Sequence, residues 1–125
     1  MSSAPVTFTL VVNEGSIAKY SCSLEDENAA SVGSGVIDSL TLTLVNKADG
    51  SIINSRSDQD VLNTNNVTVS AGGALVYLLQ PADTAIIDTD LSTETHVGTF
   101  KMQFNTTGFS TWDVEFVIRN LAQVT

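Results

Sequence analysis

The chain has 125 residues, 42% of them apolar and only 15% charged, with 14 acidic residues against five basic ones and a net charge of −9. That length makes one domain, residues 1–125, able to bury roughly two thirds of its unfolded surface without staples, and the lone Cys22 excludes an internal disulfide. Five cations scattered at Lys19, Lys47, Arg56, Lys101 and Arg119 cannot neutralise a phosphate surface, so composition argues against nucleic acid and against anionic membrane as partners.

Met1–Pro5 has neither a basic n-region nor an apolar core, so it is expected to be a flexible arm rather than a secretory signal, on a protein made in a cytoplasm. Val6–Val12 is a first strand with Val6, Phe8, Leu10 and Val12 on one face. Asn13–Ser16 turns the chain into a second strand, Ile17–Leu24, with Tyr20, Cys22 and Leu24 inward. Glu25–Gly35 is a polar loop. Val36–Asn46 alternates Leu40, Leu42 and Leu44 with threonines and reads as a third strand, reversed at Asp49-Gly50 into a return strand over Ser51–Ser55. Arg56–Thr64 is a looser polar segment. Val67–Val69 and Ala74–Leu79 are further strands, the second ended by Pro81, which cannot donate to a ladder. Pro81–Ile87 is a corner or a single helical turn, and Thr89–Thr95 another polar loop.

The last two strands carry the clearest pattern. Phe100, Met102 and Phe104 alternate with Thr99, Lys101 and Gln103; after an Asn105–Ser110 hairpin, Trp112, Val114, Phe116 and Ile118 alternate with Asp113, Glu115 and Arg119. Successive strand residues face opposite sides of a sheet, so each segment can bury one face and wet the other. Some seven to nine short strands with regular turn signals and no helix predict an all-β, immunoglobulin-like antiparallel sandwich. Its core should include Phe8, Leu42, Tyr77, Phe100, Trp112, Val114 and Phe116.

Chemistry is sparse. A nucleophilic triad would need His96, the one histidine, which is expected exposed or partly packed at the start of a strand and lacks a nucleophile elbow or oxyanion loop. One His and one Cys cannot make a zinc site. Asp88, Asp90 and Ser92 place oxygens at alternate positions, as do Asp58 and Asp60, but Thr93 and Thr99 stand where a calcium loop needs Gly and Glu. These read as solvated acidic loops. Hence no catalytic residue, metal or cofactor is expected. Asn66 and Asn105 head formal glycosylation sequons, which arise readily in a chain rich in Asn and Thr. Phe109, beside Gly108 on a hairpin tip, either folds back onto the sandwich or stands out as an anchor. With the arm Met1, Ser2, Ser3, Ala4 and Pro5, it forms the expected partner interface.

The order of elements resembles the immunoglobulin-like domains of tailed-phage virions, most closely the type at the amino terminus of baseplate upper proteins. The matching features are a first strand Val6–Val12, an acidic hairpin in Tyr20–Asn28, and Leu40–Val45 running into Asp49-Gly50 and Ile52-Ile53. Gly73 and Tyr77 then lead to Asp83-Thr84, and Gly98-Thr99-Phe100 begins the closing pair. The loops Glu25–Gly35 and Asp88–Thr95 are longer than that pattern needs, and the module is expected to stand alone, with no fibre or receptor-binding region after Thr125. The resemblance implies a non-catalytic virion structural protein, expected as an accessory capsid decoration or cement protein. A minor neck, tail or baseplate component is the close variant. The expected partners are other virion proteins, a major capsid or tail protein offering a basic patch, with a homo-oligomer left open. A carbohydrate- or cell-surface-binding module is the alternative, because sandwiches host that function widely.

Overall fold

Alternation in the sequence becomes alternation of burial. The computed structural model describes residues 8–25, 30–87 and 92–120. Its strands are β1 (Phe8–Asn13), β2 (Ala18–Ser23), β3 (Ile37–Asn46), β4 (Gln59–Asp60), β5 (Val67–Val69), β6 (Ala74–Leu79), β7 (Thr93–Phe104) and β8 (Gly108–Arg119), with one 3-10 turn at Ser34–Val36. They form a five-stranded sheet in the order β1-β8-β7-β3-β4 and a three-stranded sheet in the order β2-β6-β5. Every pairing is antiparallel except that of β1, which runs parallel to β8 with Phe8 opposite Val114 and Asn13 opposite Arg119. β1 lies in the larger sheet beside β8, and the chain crosses between sheets from β1 to β2, β2 to β3, β4 to β5 and β6 to β7. This is an immunoglobulin-like β-sandwich.

An aromatic cluster fills the space between the sheets. Tyr20 and Tyr77 pair across the smaller sheet and meet Phe100 and Phe116 of the larger one. Tyr20 stacks on Phe100 at 6.0 Å between ring centroids, and Tyr77 meets Phe116 edge-on at 6.0 Å. Leu40, Leu42, Leu44, Leu75, Leu79, Val114 and Ile118 complete the core, all fully buried. Trp112 is half-buried at its margin, stacked on Phe100 at 5.3 Å. Leu42, Tyr77, Phe100, Val114 and Phe116 thus lie in the predicted core, while Trp112 only borders it. The Phe8 side chain and the arm Met1–Pro5 lie outside what is described.

Several local expectations change. The Ser51–Ser55 return strand reduces to one bridge, Val45 to Ile52, because Asn54 and Ser55 take left-handed backbone (φ 53° and 56°) and turn the chain inward. The Arg56–Thr64 segment contains β4 and carries Arg56 into the interior, not the surface. Val32, inside the polar loop, is buried. β7 starts at Thr93, within the expected loop, so Glu94 and His96 point inward. His96 is fully buried rather than exposed or partly packed, because its ring is hydrogen-bonded on both sides. Cys22 is half-buried beside Tyr20, and burial pushes its thiol pKa up, away from reactivity.

Candidate interaction surface

The outer face of the five-stranded sheet is where a partner could seat. At one end the register sets Thr41, Lys101 and Thr111 side by side on β3, β7 and β8, and Gln103 opposite Phe109. With Ser39 they border a shallow groove of about 280 Å³ whose apolar wall is Phe109. Lys101 Nζ lies 3.7 Å from Asp58, both side chains well exposed, a pairing that contributes little in water. At the other end Lys47 bonds Glu115 at 3.0 Å.

Phe109 is 73% exposed, the highest value among the large apolar side chains of the described residues. Of its two expected fates, it takes the second and stands out. The β7–β8 hairpin fixes it there. Asn105 and Thr106 turn through left-handed backbone at φ 49° and 67°. Asp38 accepts the Thr106 amide at 2.7 Å, Val36 O accepts the Asn105 amide at 2.9 Å, and Gln103 Nε2 donates to Thr106 O at 2.7 Å. A β carbon at Gly108 would lie 2.6 Å from the Phe104 ring, so a larger residue there would have to push this buried ring aside. The aromatic is therefore exposed on an anchored tip, with Asp38 bonded to the same turn and Lys101 lining the groove beside it.

The chemistry-bearing residues gather elsewhere, in a closed network inside the protein. Arg56 spends all five N–H donors inside the protein. Nε and Nη2 clasp Asp83 at 2.6 and 3.1 Å; Nη1 donates to Gln59 at 2.6 Å and Asn65 O at 3.1 Å, and Nη2 also to Asn66 Oδ1 at 3.0 Å. Its guanidinium lies 5.3 Å over the Tyr77 ring. Burial alone would raise the Asp83 pKa, but bonds from Arg56, the Gln80 amide and Asn54 outweigh it and hold the carboxyl below the usual carboxylate range. Burial, with the Asp83 charge beside it, pushes the Tyr77 phenol up. Next to this pair, His96 Nδ1 lies 3.0 Å from Asp83 O, which can only accept, so that nitrogen carries a proton. Its Nε2 is 2.6 Å from Glu94, whose carboxylate also accepts the Ile87 amide. Near the start of β7, His96 is thus bonded back to the preceding corner.

This network is not legible in the sequence, where Arg56 reads only as one of five scattered cations. No local spacing announces a bond between residues 27 positions apart; the one signal is Asp83-Thr84 just after the strand-ending Pro81. It offers no nucleophile and no opening, so it ties the 54–66 loop and the 81–87 corner to the core. Asn66, of the first sequon, is an acceptor for Arg56. Asp58 and Asp60 spend carboxylate oxygens on Thr43 and the Leu62 amide. Asp88 and Asp90 lie outside the described residues. Among the described residues no three His, Cys, Asp or Glu side chains gather to hold a metal ion, and no helix is long and apolar enough to cross a membrane.

No family model matches the sequence, and no curated protein matches it. Among solved structures, a chain of the ZIG-8–RIG-5 IG1–IG1 heterodimer is similar over 90% of this chain and 83% of its own, at 9% identity and a TM-score of 0.34. A likeness of that size bears on neither function nor partner.

Proposed function

We propose that the protein is a non-catalytic structural component of a phage particle, an accessory capsid decoration or cement protein that seats Phe109 in an apolar pocket of a basic neighbour. The observation that supports this reading most is the exposed Phe109 on a tip held by two sequence-distant hydrogen bonds, to Val36 and Asp38, on a chain of net charge −9. An aromatic anchor with an opposite-charge rim is the usual make-up of an interface hot spot. Repeated weak seats on a shell add up through multivalency. A neck, tail or baseplate position would use the same surface.

The test is co-sedimentation with particles lacking the protein. Phe109→Ser should leave the melting temperature within about 2 °C, because the ring buries little, yet weaken attachment at least tenfold, the ~1.4 kcal/mol expected of a modest hot spot. Wild-type protein that binds no particle would remove the virion reading. The groove of hydroxyl, amide and ammonium groups beside Phe109 also suits a sugar stacked on the ring. Retention on glycans, lost in Phe109→Ser, would favour the carbohydrate-binding reading instead.

A further inference from the structure

The four sheet edges of this sandwich are unequal. The larger sheet ends in β1, six residues long, and β4, two residues; the smaller ends in β2, six residues, and β5, three. An edge strand presents a row of backbone N–H and C=O groups, and proteins blunt such edges by shortness, by charge, by proline or by bulges. Shortness protects β4 and β5, and the exposed Lys19 charges β2. The β1 sequence, Phe-Thr-Leu-Val-Val-Asn, has none of these devices. Its register to β8 is unbroken over all six residues, so no bulge twists the edge away, and β8 is its only strand partner among the described residues. Val12 is buried and Leu10 packs against the core, which turns Val11 to the outer face, 61% exposed. Ile17, just past the following turn, is 67% exposed.

We propose that β1 pairs antiparallel with β1 of a second copy about a two-fold axis beside Val11, joining two five-stranded sheets into one of ten strands. Charge selects this occupant. The chain carries −9 overall, yet β1 has no charged residue. A basic partner strand would find no carboxylate on it, whereas a second copy meets no like charge across the ladder. Two-fold pairing of identical strands also uses up both edges and closes, where a head-to-tail contact would run on into fibres. A ladder of six residues a side buries less than the ~1,200 Å² of stable complexes, so the dimer is weak and concentration-dependent. The inference is independent of the particle reading, since it concerns the purified protein alone.

Sedimentation equilibrium over micromolar to millimolar protein tests it. Wild type should pass from monomer to dimer. Val11→Lys and Val11→Glu each place like charges directly opposite one another and should weaken dimerisation at least tenfold, with melting temperatures near wild type because Val11 is exposed. Mixing the two variants should restore a heterodimer. Wild type that stays monomeric at millimolar concentration overturns the proposal, as do single variants that dimerise like wild type. Monomeric variants whose mixture forms no heterodimer overturn the two-fold pairing at Val11.

Discussion

Arg56 leaves no N–H donor for water, and that fixes what its replacement should cost. Asp83→Ala strands a buried guanidinium and is expected to destabilise by about 3–5 kcal/mol in chemical denaturation. The double variant Arg56→Met/Asp83→Leu should lose clearly less than the sum of its two parts, because a buried ion pair is close in energy to well-packed apolar residues. Equal, additive losses would show that the pair acts through packing alone. The same pair sets an acid limit. The folded-state pKa of Asp83 is depressed, so its contribution is complete above the unfolded value of ~3.9 and is lost as pH falls through the folded one. The gap in melting temperature between wild type and Asp83→Asn should therefore be constant near neutrality and shrink below about pH 4. His96 makes a similar point about legibility. A lone histidine after a polar run reads as exposed, and only its two bonds, to Glu94 and to Asp83 O, explain its full burial.

At the scale of elements, what was legible is what local alternation determines. β3, β7 and β8 follow the period-two pattern closely, with Leu40, Leu42 and Leu44 buried against exposed or half-buried threonines. The stretch from Ser51 to Asn66 was not legible. Asn54, Ser55, Asp58, Asn63, Asn65 and Asn66 all adopt left-handed backbone there, a conformation asparagine tolerates without demanding, and the chain is held in it by Arg56 and Asp60. The Phe109 tip was half legible: its place on a hairpin follows from Gly108, its outward stance from Asp38 and Val36. Two glycines separate rigid from yielding contacts. A β carbon at Gly33 would lie 2.0 Å from the Ala71 carbonyl oxygen, where main chain opposes main chain; at Gly108 it would press only the Phe104 ring, at 2.6 Å. Gly33→Ala should thus cost at least the ~1–3 kcal/mol of an overpacked site, and more than Gly108→Ala. The reverse order in urea midpoints would refute the assignment of the Ala71 contact as the stiffer one.

For the whole molecule, the core and the surface charge make separable demands. Phe116 is fully buried at the centre of the aromatic cluster, so Phe116→Ala should cost about 3–5 kcal/mol, while Trp112→Ala, at the half-buried margin, should cost visibly less in the same urea melts. The internal pair Arg56–Asp83 and the surface pair Lys47–Glu115 each cancel, so the net charge of −9 is carried by other residues. The remaining acidity acts on both proposed contacts, with opposite signs. It repels a second copy, so screening it should favour the β1 dimer. It attracts a basic seat around Phe109, so screening should weaken that attachment. Raising salt from ~0.01 M to ~1 M shortens the Debye length from ~30 Å to ~3 Å, enough to remove either long-range term. Over that range dimerisation should strengthen in sedimentation equilibrium, while co-sedimentation with particles should weaken. A neutral ladder between like-charged copies and an attachment driven by the chain's net acidity cannot both respond to salt in the same direction. Parallel trends would show that one of the two surfaces, the β1 edge or the Phe109 tip, has been assigned the wrong partner.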